Sequence, residues 1–206
     1  MSEPVFTSAL AHRHDLERQS GLSVALSEIT DRGVIDLRGQ TDDTKFMAAA
    51  KSVLGTALPT DPRTSVTKSD TTILWFSLDH WLIVSPRART SKLIDALRKK
   101  TQGQFVFACD VSDARAVIRI EGDGVREVLM KGTSVDLTSP QISTGTVRRM
   151  LFAEVAAACH VVDGDAGTFD LYVFRSTADY VWEWLLATAR SGARVQLYGA
   201  QEAPPV

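Results

Sequence analysis

The chain lacks any apolar run of the ~20 residues that a membrane-spanning helix needs, so no segment is predicted to cross a bilayer. It also lacks an excess of either charge. Its 23 basic and 25 acidic residues give a formal net charge of −2, and the pI is near 6.1. A nucleic-acid-binding protein would normally carry a basic stripe, whereas the densest basic runs here, 87–89 and 98–100, lie at the ends of predicted elements. Neither nucleic acid nor a membrane is therefore expected as a partner.

Cysteine is scarce. Cys109 and Cys159 are the only two, and each lies in an apolar, strand-like stretch, which predicts reduced thiols rather than a disulfide. The first residues do not show a charged segment followed by an apolar core, so no signal peptide is predicted and a cytoplasmic protein is expected. At 206 residues and 44% hydrophobic composition, the chain is long enough for one large domain or two small ones in close contact.

The spacing typical of a metal site is also missing. His12 and His14 are two apart, Cys159 and His160 are adjacent, and there is no CxxC or HxxxH pattern. We predict no metal ligand in this chain.

The segment 109–132 (CDVSDARAVIRIEGDGVREVLMKG) contains glycines at a predicted strand-to-helix turn, but not a dinucleotide fingerprint. Glu127 stands where the third glycine of Gly-x-Gly-x-x-Gly would be, and Asp123, between Gly122 and Gly124, would repel a pyrophosphate. The glycines predict a tight turn only.

The triplet of polar residues in the same segment, Asp110, Ser112 and Asp113, has the residue types of a nucleophile and its base. No histidine is near in sequence, so a Ser/His/Asp set cannot be assigned. Asp and Ser side chains also bond the backbone at turns, and this structural role is the favoured hypothesis.

The pattern of elements predicts an α+β protein built from two tandem ferredoxin-like β-α-β-β-α-β units. The first unit is predicted to contain a hairpin formed by Ile73–Phe76 and Trp81–Val84. Its first helix is predicted to begin at Thr41 as N-cap, and its second at Thr90 or Ser91. In the second, strand-like runs at 150–162 and 168–174 are joined by a predicted hairpin turn at 163–167, and a last strand is expected at 194–198. The predicted divisions are an N-terminal arm at 1–22, the two units at 23–110 and 111–198, and a tail at 199–206.

The helix predicted at 176–187 is apolar on most of its circumference, which indicates burial on more than one side. One apolar stripe, which includes Trp184, is predicted to pack into the core. Tyr180, Trp182 and Leu186 project elsewhere, and we name them as a candidate partner interface, because Trp and Tyr are favoured interface anchors. Covering by another part of the same chain is the alternative.

Six pieces of the sequence, in order, resemble one known family, and together they span most of residues 8–190. They are SALAH, VIDLRGQ, LGTALPTDPRT, LDHWLIVSP, DVSDARAVIRIEGDGVREVLMKGTSVDL and TFDLYVFRSTADYVWEWL. The chain resembles the gamma subunit of heterotetrameric sarcosine oxidase, whose fold is similar to the folate-binding domain of the glycine-cleavage T-protein. LDHW, residues 78–81, replaces the more common acidic pair before the Trp, which is a mild departure.

The resemblance implies a structural subunit of a complex that oxidises sarcosine to glycine, with peroxide and methylene-tetrahydrofolate as further products. It places FAD, FMN, NAD and tetrahydrofolate on the larger subunits, which are the expected partners. No catalytic or cofactor-binding residue is carried onto this chain.

Three alternatives stay open. In the first, the chain is a free-standing folate-dependent one-carbon transferase, which predicts a pocket with a convergent carboxylate. In the second, it is the small subunit of an N-methylglutamate dehydrogenase-type complex. In the third, it is a stand-alone ligand-binding or scaffold module.

Overall fold

A computed structural model describes residues 6–13, 21–193 and 195 of the chain. The described part has an α+β fold with two five-stranded antiparallel sheets and four α-helices. The strands are β1 (Ala25–Glu28), β2 (Gly33–Arg38), β3 (Ser65–Lys68), β4 (Thr71–Ser77), β5 (His80–Ser85), β6 (Phe107–Asp110), β7 (Arg115–Glu121), β8 (Val147–Phe152), β9 (Val155–Asp163) and β10 (Thr168–Phe174). The helices are α1 (Thr44–Leu54), α2 (Arg87–Lys100), α3 (Val125–Met130) and α4 (Ala178–Thr188).

The first sheet has the strand order β3-β4-β5-β2-β6, and α1 and α2 cover one of its faces. Strands β4, β5, β2 and β6 follow the ferredoxin-like order, with β3 added at one edge. Period-two alternation sorts the side chains of β5: Trp81 and Ile83 face the helices, whereas Leu82 and Val84 face the second sheet. The predicted hairpin of β4 and β5 is present.

The second sheet has the order β1-β7-β10-β9-β8, with α3 and α4 on its outer face. Here β1 pairs antiparallel with β7 and occupies the position that the last strand of a ferredoxin-like unit would take. Because β1 lies in the range predicted for the first unit, 23–110, the two units are interleaved rather than strictly consecutive. The strand predicted at 194–198 lies outside the described residues except for Val195, which is not in a strand.

The two sheets pack face to face, so the molecule has four layers: helices, sheet, sheet, helices. The apolar centre between the sheets contains side chains from both of them: Val34, Leu74, Phe76, Leu82, Val84, Val117, Val147, Ala158 and Tyr172. Each sheet therefore buries both of its faces. Arg119 and Asp170, two residues from Val117 and Tyr172 on the same strand faces, add polar side chains to the space between the sheets.

Local chemistry explains where several elements begin and end. Asp43, rather than the predicted Thr41, caps α1, because its carboxylate accepts bonds from the N–H groups of Lys45 and Phe46 at 2.9 and 3.0 Å. Gly55 ends that helix in the left-handed region, at φ 74°. Helix α2 begins at Arg87, directly after Pro86, one turn before the predicted cap.

The single strand predicted over 150–162 is in fact the end of β8 and most of β9, which Ala153 and Glu154 separate. Both residues have positive φ, 46° and 68°, as a two-residue hairpin turn requires. Neither is Gly, Asn or Asp, so the usual sequence signal for the turn is missing.

Both cysteines are free thiols, as predicted; Cys159 is buried, whereas Cys109 is only half-buried. Within the described residues, no helix combines the length and the apolar character needed to cross a membrane.

Candidate functional site

Helix α4 carries the three residues of the predicted interface, which differ in how far they are buried. Trp182 is 0% exposed and lies in the core of the second half with Val181 and Leu185. The expectation that Trp182 projects away from the core is therefore wrong. The helix is rotated so that Trp184, predicted inward, is half-buried instead and stacks edge-on against Phe152 at a centroid distance of 5.0 Å.

Tyr180 is 49% exposed, and Leu186 is half-buried against the edge of the core. These two residues stay available to a partner. Any role of Trp182 in assembly would be indirect, through the position of the helix.

Residues 6–13 of the predicted arm pack on the second half of the chain. Leu10 is fully buried in that core, and the Ser8 hydroxyl donates to the Glu28 carboxylate at 2.7 Å. Arg13 bonds Asp179 at 3.0 Å and Glu183 at 2.7 Å, both on α4. Part of α4 is thus covered by its own chain, as the alternative hypothesis held.

The candidate nucleophile set has a structural role. Asp110 Oδ1 accepts from the N–H and the hydroxyl of Ser112, and the Ser112 hydroxyl oxygen accepts from the Val34 N–H at 2.9 Å. Asp113 pairs with Arg87. These bonds hold the junction between β6 and β7 in place and attach it to β2 and α2, a structural role as favoured from the sequence. None of the three described histidines, His12, His80 and His160, contacts Asp110 or Ser112 through a described bond.

The glycines at 122 and 124 form the turn between β7 and α3. Gly122 has φ 126°, a value that L-residues rarely adopt, and its N–H donates to the Gly167 carbonyl at 3.1 Å. Helix α3 has only six residues and starts without a side-chain cap.

A polar cleft opens between the two sheets at one end of the sandwich, with a volume of about 570 Å³. Arg119 and Asp170, neighbours on β7 and β10, form a bidentate pair across it, with Nε–Oδ1 at 2.7 Å and Nη2–Oδ2 at 3.0 Å. The contact raises the pKa of Arg119 above its ordinary value. Asp70, the other carboxylate that lines the cleft, pairs with Arg89.

His160 on β9 lines the same cleft and is 5% exposed. Its Nε2 lies 3.0 Å from Ser65 Oγ, and the Ser65 hydroxyl donates to the Gly145 carbonyl at 2.9 Å. The hydroxyl oxygen is thus the acceptor, and the ring carries its proton on Nε2. Burial, reinforced by Arg119 and opposed by Asp170, lowers the pKa of His160 to about 4.

A second polar pair lies between the sheets, next to the β4–β5 turn. Nε2 of His80 is 2.9 Å from Oδ1 of Asp36, although neither atom has a well-directed hydrogen bond to a described residue. Burial acts to raise the pKa of Asp36, but the contact with His80 and the charges of Arg38 and Arg115 outweigh it and hold that pKa below its ordinary value.

Large apolar side chains are exposed where β6 forms an open edge of the first sheet. Phe105 is 93% exposed and Phe107 52%, and Leu78 in the neighbouring β4–β5 turn is 71% exposed. We call these three residues the β6 edge patch. A depression of about 400 Å³ lies here, lined by Phe105, Phe107 and Asp79 among others. None of the sequence-based predictions includes an exposed role for these residues. Phe105 and Phe107, an aromatic pair two residues apart at a strand end, are the pattern that would indicate such a patch.

Among the described residues, no three or more His, Cys, Asp or Glu side chains converge in a group that could hold a metal ion.

Comparison with known proteins identifies one matching family model, described as the sarcosine oxidase, gamma subunit family, which matches residues 38–191. A chain of the heterotetrameric sarcosine oxidase from Corynebacterium sp. U-96, solved in complex with pyrrole 2-carboxylate, is similar in fold. The TM-score is 0.82 at 18% sequence identity, and the match covers 93% of this chain and 98% of that one.

The glycine cleavage system aminomethyltransferase T from Bartonella henselae is also similar, with a TM-score of 0.59 at 14% identity. That match covers 85% of this chain but only 49% of the aminomethyltransferase. No curated protein sequence matches the chain significantly.

Proposed function

Because the chain belongs to the sarcosine oxidase gamma subunit family, we propose that it is a non-catalytic subunit that stabilises a multi-subunit oxidase acting on sarcosine. The observation that carries the proposal is the family match, which runs from the end of β2 to the residues after α4 and so includes most of both sheets. The likeness to a heterotetrameric enzyme supports larger subunits as the partners.

The roles of the polar residues support a non-catalytic chain. Asp110 and Ser112 are engaged in backbone bonds at a strand junction. The bidentate pair of Arg119 and Asp170 is the kind of contact that fixes two strands. Fold alone does not carry an activity, because activity depends on the residues of a site.

The inter-sheet cleft does not fit a tetrahydrofolate site of the kind that the transferase alternative predicts. That alternative needs a carboxylate free to meet the ligand in a pocket. Both carboxylates of the inter-sheet cleft, Asp70 and Asp170, are paired with arginines. We therefore derive no step through folate here, and we propose that flavin, NAD and folate belong to the larger subunits.

We propose the β6 edge patch as a contact with a larger subunit, together with Tyr180 and Leu186 on α4. Exposed aromatic side chains at an open sheet edge are costly in an isolated chain and are typical of surfaces buried in assemblies. The free thiols Cys109 and Cys159 are compatible with a reducing compartment, and a cytoplasmic location is part of the proposal.

The experiment is co-purification of the tagged chain at native levels, followed by a flavin absorbance spectrum and a sarcosine-dependent peroxide assay. A yellow complex that oxidises sarcosine and loses stability when this chain is omitted supports the proposal. Full oxidase activity in the isolated chain would refute its non-catalytic part. A colourless monomer that binds tetrahydrofolate would favour the transferase instead, and oxidation of N-methylglutamate but not sarcosine would favour the dehydrogenase-type complex.

A further inference from the structure

A second groove, of about 590 Å³, wraps the outer edge of β8 and reaches the neighbouring strand β4 of the first sheet. Three arginines line it: Arg63, Arg148 and Arg149. The remaining lining is apolar and includes Trp75 and Val135. We call this the arginine groove.

The positive charge of the groove is not balanced within the described chain. Its lining includes no Asp or Glu, and none of the three arginines forms an ion pair with a described residue. Arg149 instead donates to the Phe76 carbonyl at 3.1 Å. Arg63 and Arg148 line the same groove, and burial, followed by repulsion from the charge of Arg63, lowers the pKa of Arg148 from its ordinary value. An anionic partner would relieve that repulsion.

The edge of β8 also offers backbone hydrogen bonds. Strand β8 pairs with β9 on one side and is the last strand of its sheet. The N–H of Val147 points away from β9 and donates to the Arg63 carbonyl at 2.8 Å. Because N–H groups alternate along an antiparallel strand, those of Arg149 and Leu151 point to the same outer side. These two outward N–H groups have no backbone hydrogen-bond partner among the described residues. The Leu151 side chain is 65% exposed.

We propose that the arginine groove binds an extended, carboxylate-rich segment of a larger subunit, which adds to the edge of β8 as a further strand. This rests on the proposed function and names the chemistry of one partner contact. The open backbone positions at Arg149 and Leu151 select an extended peptide. The unbalanced charges of Arg63 and Arg148 select acidic side chains on that peptide.

The groove is separate from the β6 edge patch, which lies on an edge strand of the other sheet. The two surfaces can therefore be tested independently.

The first test reverses the charge of the groove. Arg63→Glu/Arg148→Glu changes two arginines that have no described ion pair, and Lys92→Glu/Lys99→Glu makes the same change in charge on the exposed face of α2. Binding to the separately purified larger subunits is measured by interferometry at 50 mM and 300 mM NaCl. We expect the groove variant to bind at least about 100-fold more weakly at low salt, and the control to stay within about threefold of wild type.

The second test removes a backbone donor without charge. Leu151→Pro deletes an N–H that points away from β9, so the β8–β9 ladder is kept while an added strand is blocked. Leu151→Thr removes the apolar side chain but keeps the donor. Proline should weaken binding at least about tenfold more than threonine does. Circular dichroism melts identify any variant whose fold is lost.

The outcomes separate this proposal from the function on which it rests. Wild-type affinity in both Arg63→Glu/Arg148→Glu and Leu151→Pro would overturn the groove proposal and leave the subunit assignment intact. Failure of the wild-type chain to bind the larger subunits at all would overturn both.

Discussion

His160 gives the chain a predicted acid sensitivity with a definite size. In the folded state it is buried beside Ser65, and its pKa is about 4 against an ordinary value of 6.5. As the pH falls, His160 of the unfolded chain therefore binds a proton near pH 6.5, whereas His160 of the folded chain does so only near pH 4. Because the folded pKa of this histidine is lowered, its effect is to remove stability as pH falls through that window. Between pH 7 and pH 5, the loss amounts to about 2 kcal/mol of the free energy of unfolding.

The assay is urea denaturation of wild type and His160→Gln at half-unit steps from pH 8 to pH 5. Glutamine keeps a donor for Ser65 but does not titrate, so the difference between the two profiles isolates the imidazole. We expect wild type to lose about 2 kcal/mol relative to the variant over this range. Ser65→Ala should retain the wild-type slope, because burial rather than this hydrogen bond is the main cause. Parallel profiles for wild type and His160→Gln would refute the reasoning.

Three further predictions concern stability and assembly. Arg119→Met should lower the free energy of unfolding by about 3 kcal/mol, because it leaves the buried Asp170 carboxylate unpaired. Arg119→Met/Asp170→Leu should recover most of that loss, and equal losses in the two variants in urea melts would contradict this. Trp182→Ala should cost about 3–5 kcal/mol of unfolding free energy, whereas Tyr180→Ala should stay within about 0.5 kcal/mol, and the reverse order would contradict the packing of α4. Phe105→Ser should leave the melting temperature unchanged but weaken binding to the larger subunits at least about tenfold by interferometry; unchanged affinity would remove this residue from the interface.

The sequence was informative where the physics is local. The apolar runs at 73–76 and 81–84 predicted the β4–β5 hairpin, because a buried sheet needs continuous apolar strands. The family resemblance and the α+β class are confirmed as well.

Three features could not be read from the sequence, each for a physical reason. The four residues of β1, ALSE, contain little apolar surface, and only the distant strand β7 determines where they pair. A helix that is apolar almost all round has no unique inward face, so the periodicity of α4 could not decide between Trp182 and Trp184. The charge of the arginine groove depends on the approach of Arg63 to β8, which is far from it in sequence.

The edges of the two sheets are where this fold can accept partners. Both faces of each sheet are covered, one by helices and one by the other sheet. Of the four edge strands, β1 is contacted by residues 6–13 through bonds from Ser8 and Leu10 to the Glu28 carboxylate, and β3 is joined to the other sheet through Ser65 and Gly145. The edges of β6 and β8 remain. Phe107 on β6 and Leu151 on β8 are exposed apolar side chains, and on β8 the outward N–H groups of Arg149 and Leu151 have no described backbone partner. A monomeric protein would be under pressure to protect such edges with charge, proline or a covering segment. Two such edges, on opposite sheets, support the proposal that this chain contacts larger subunits there.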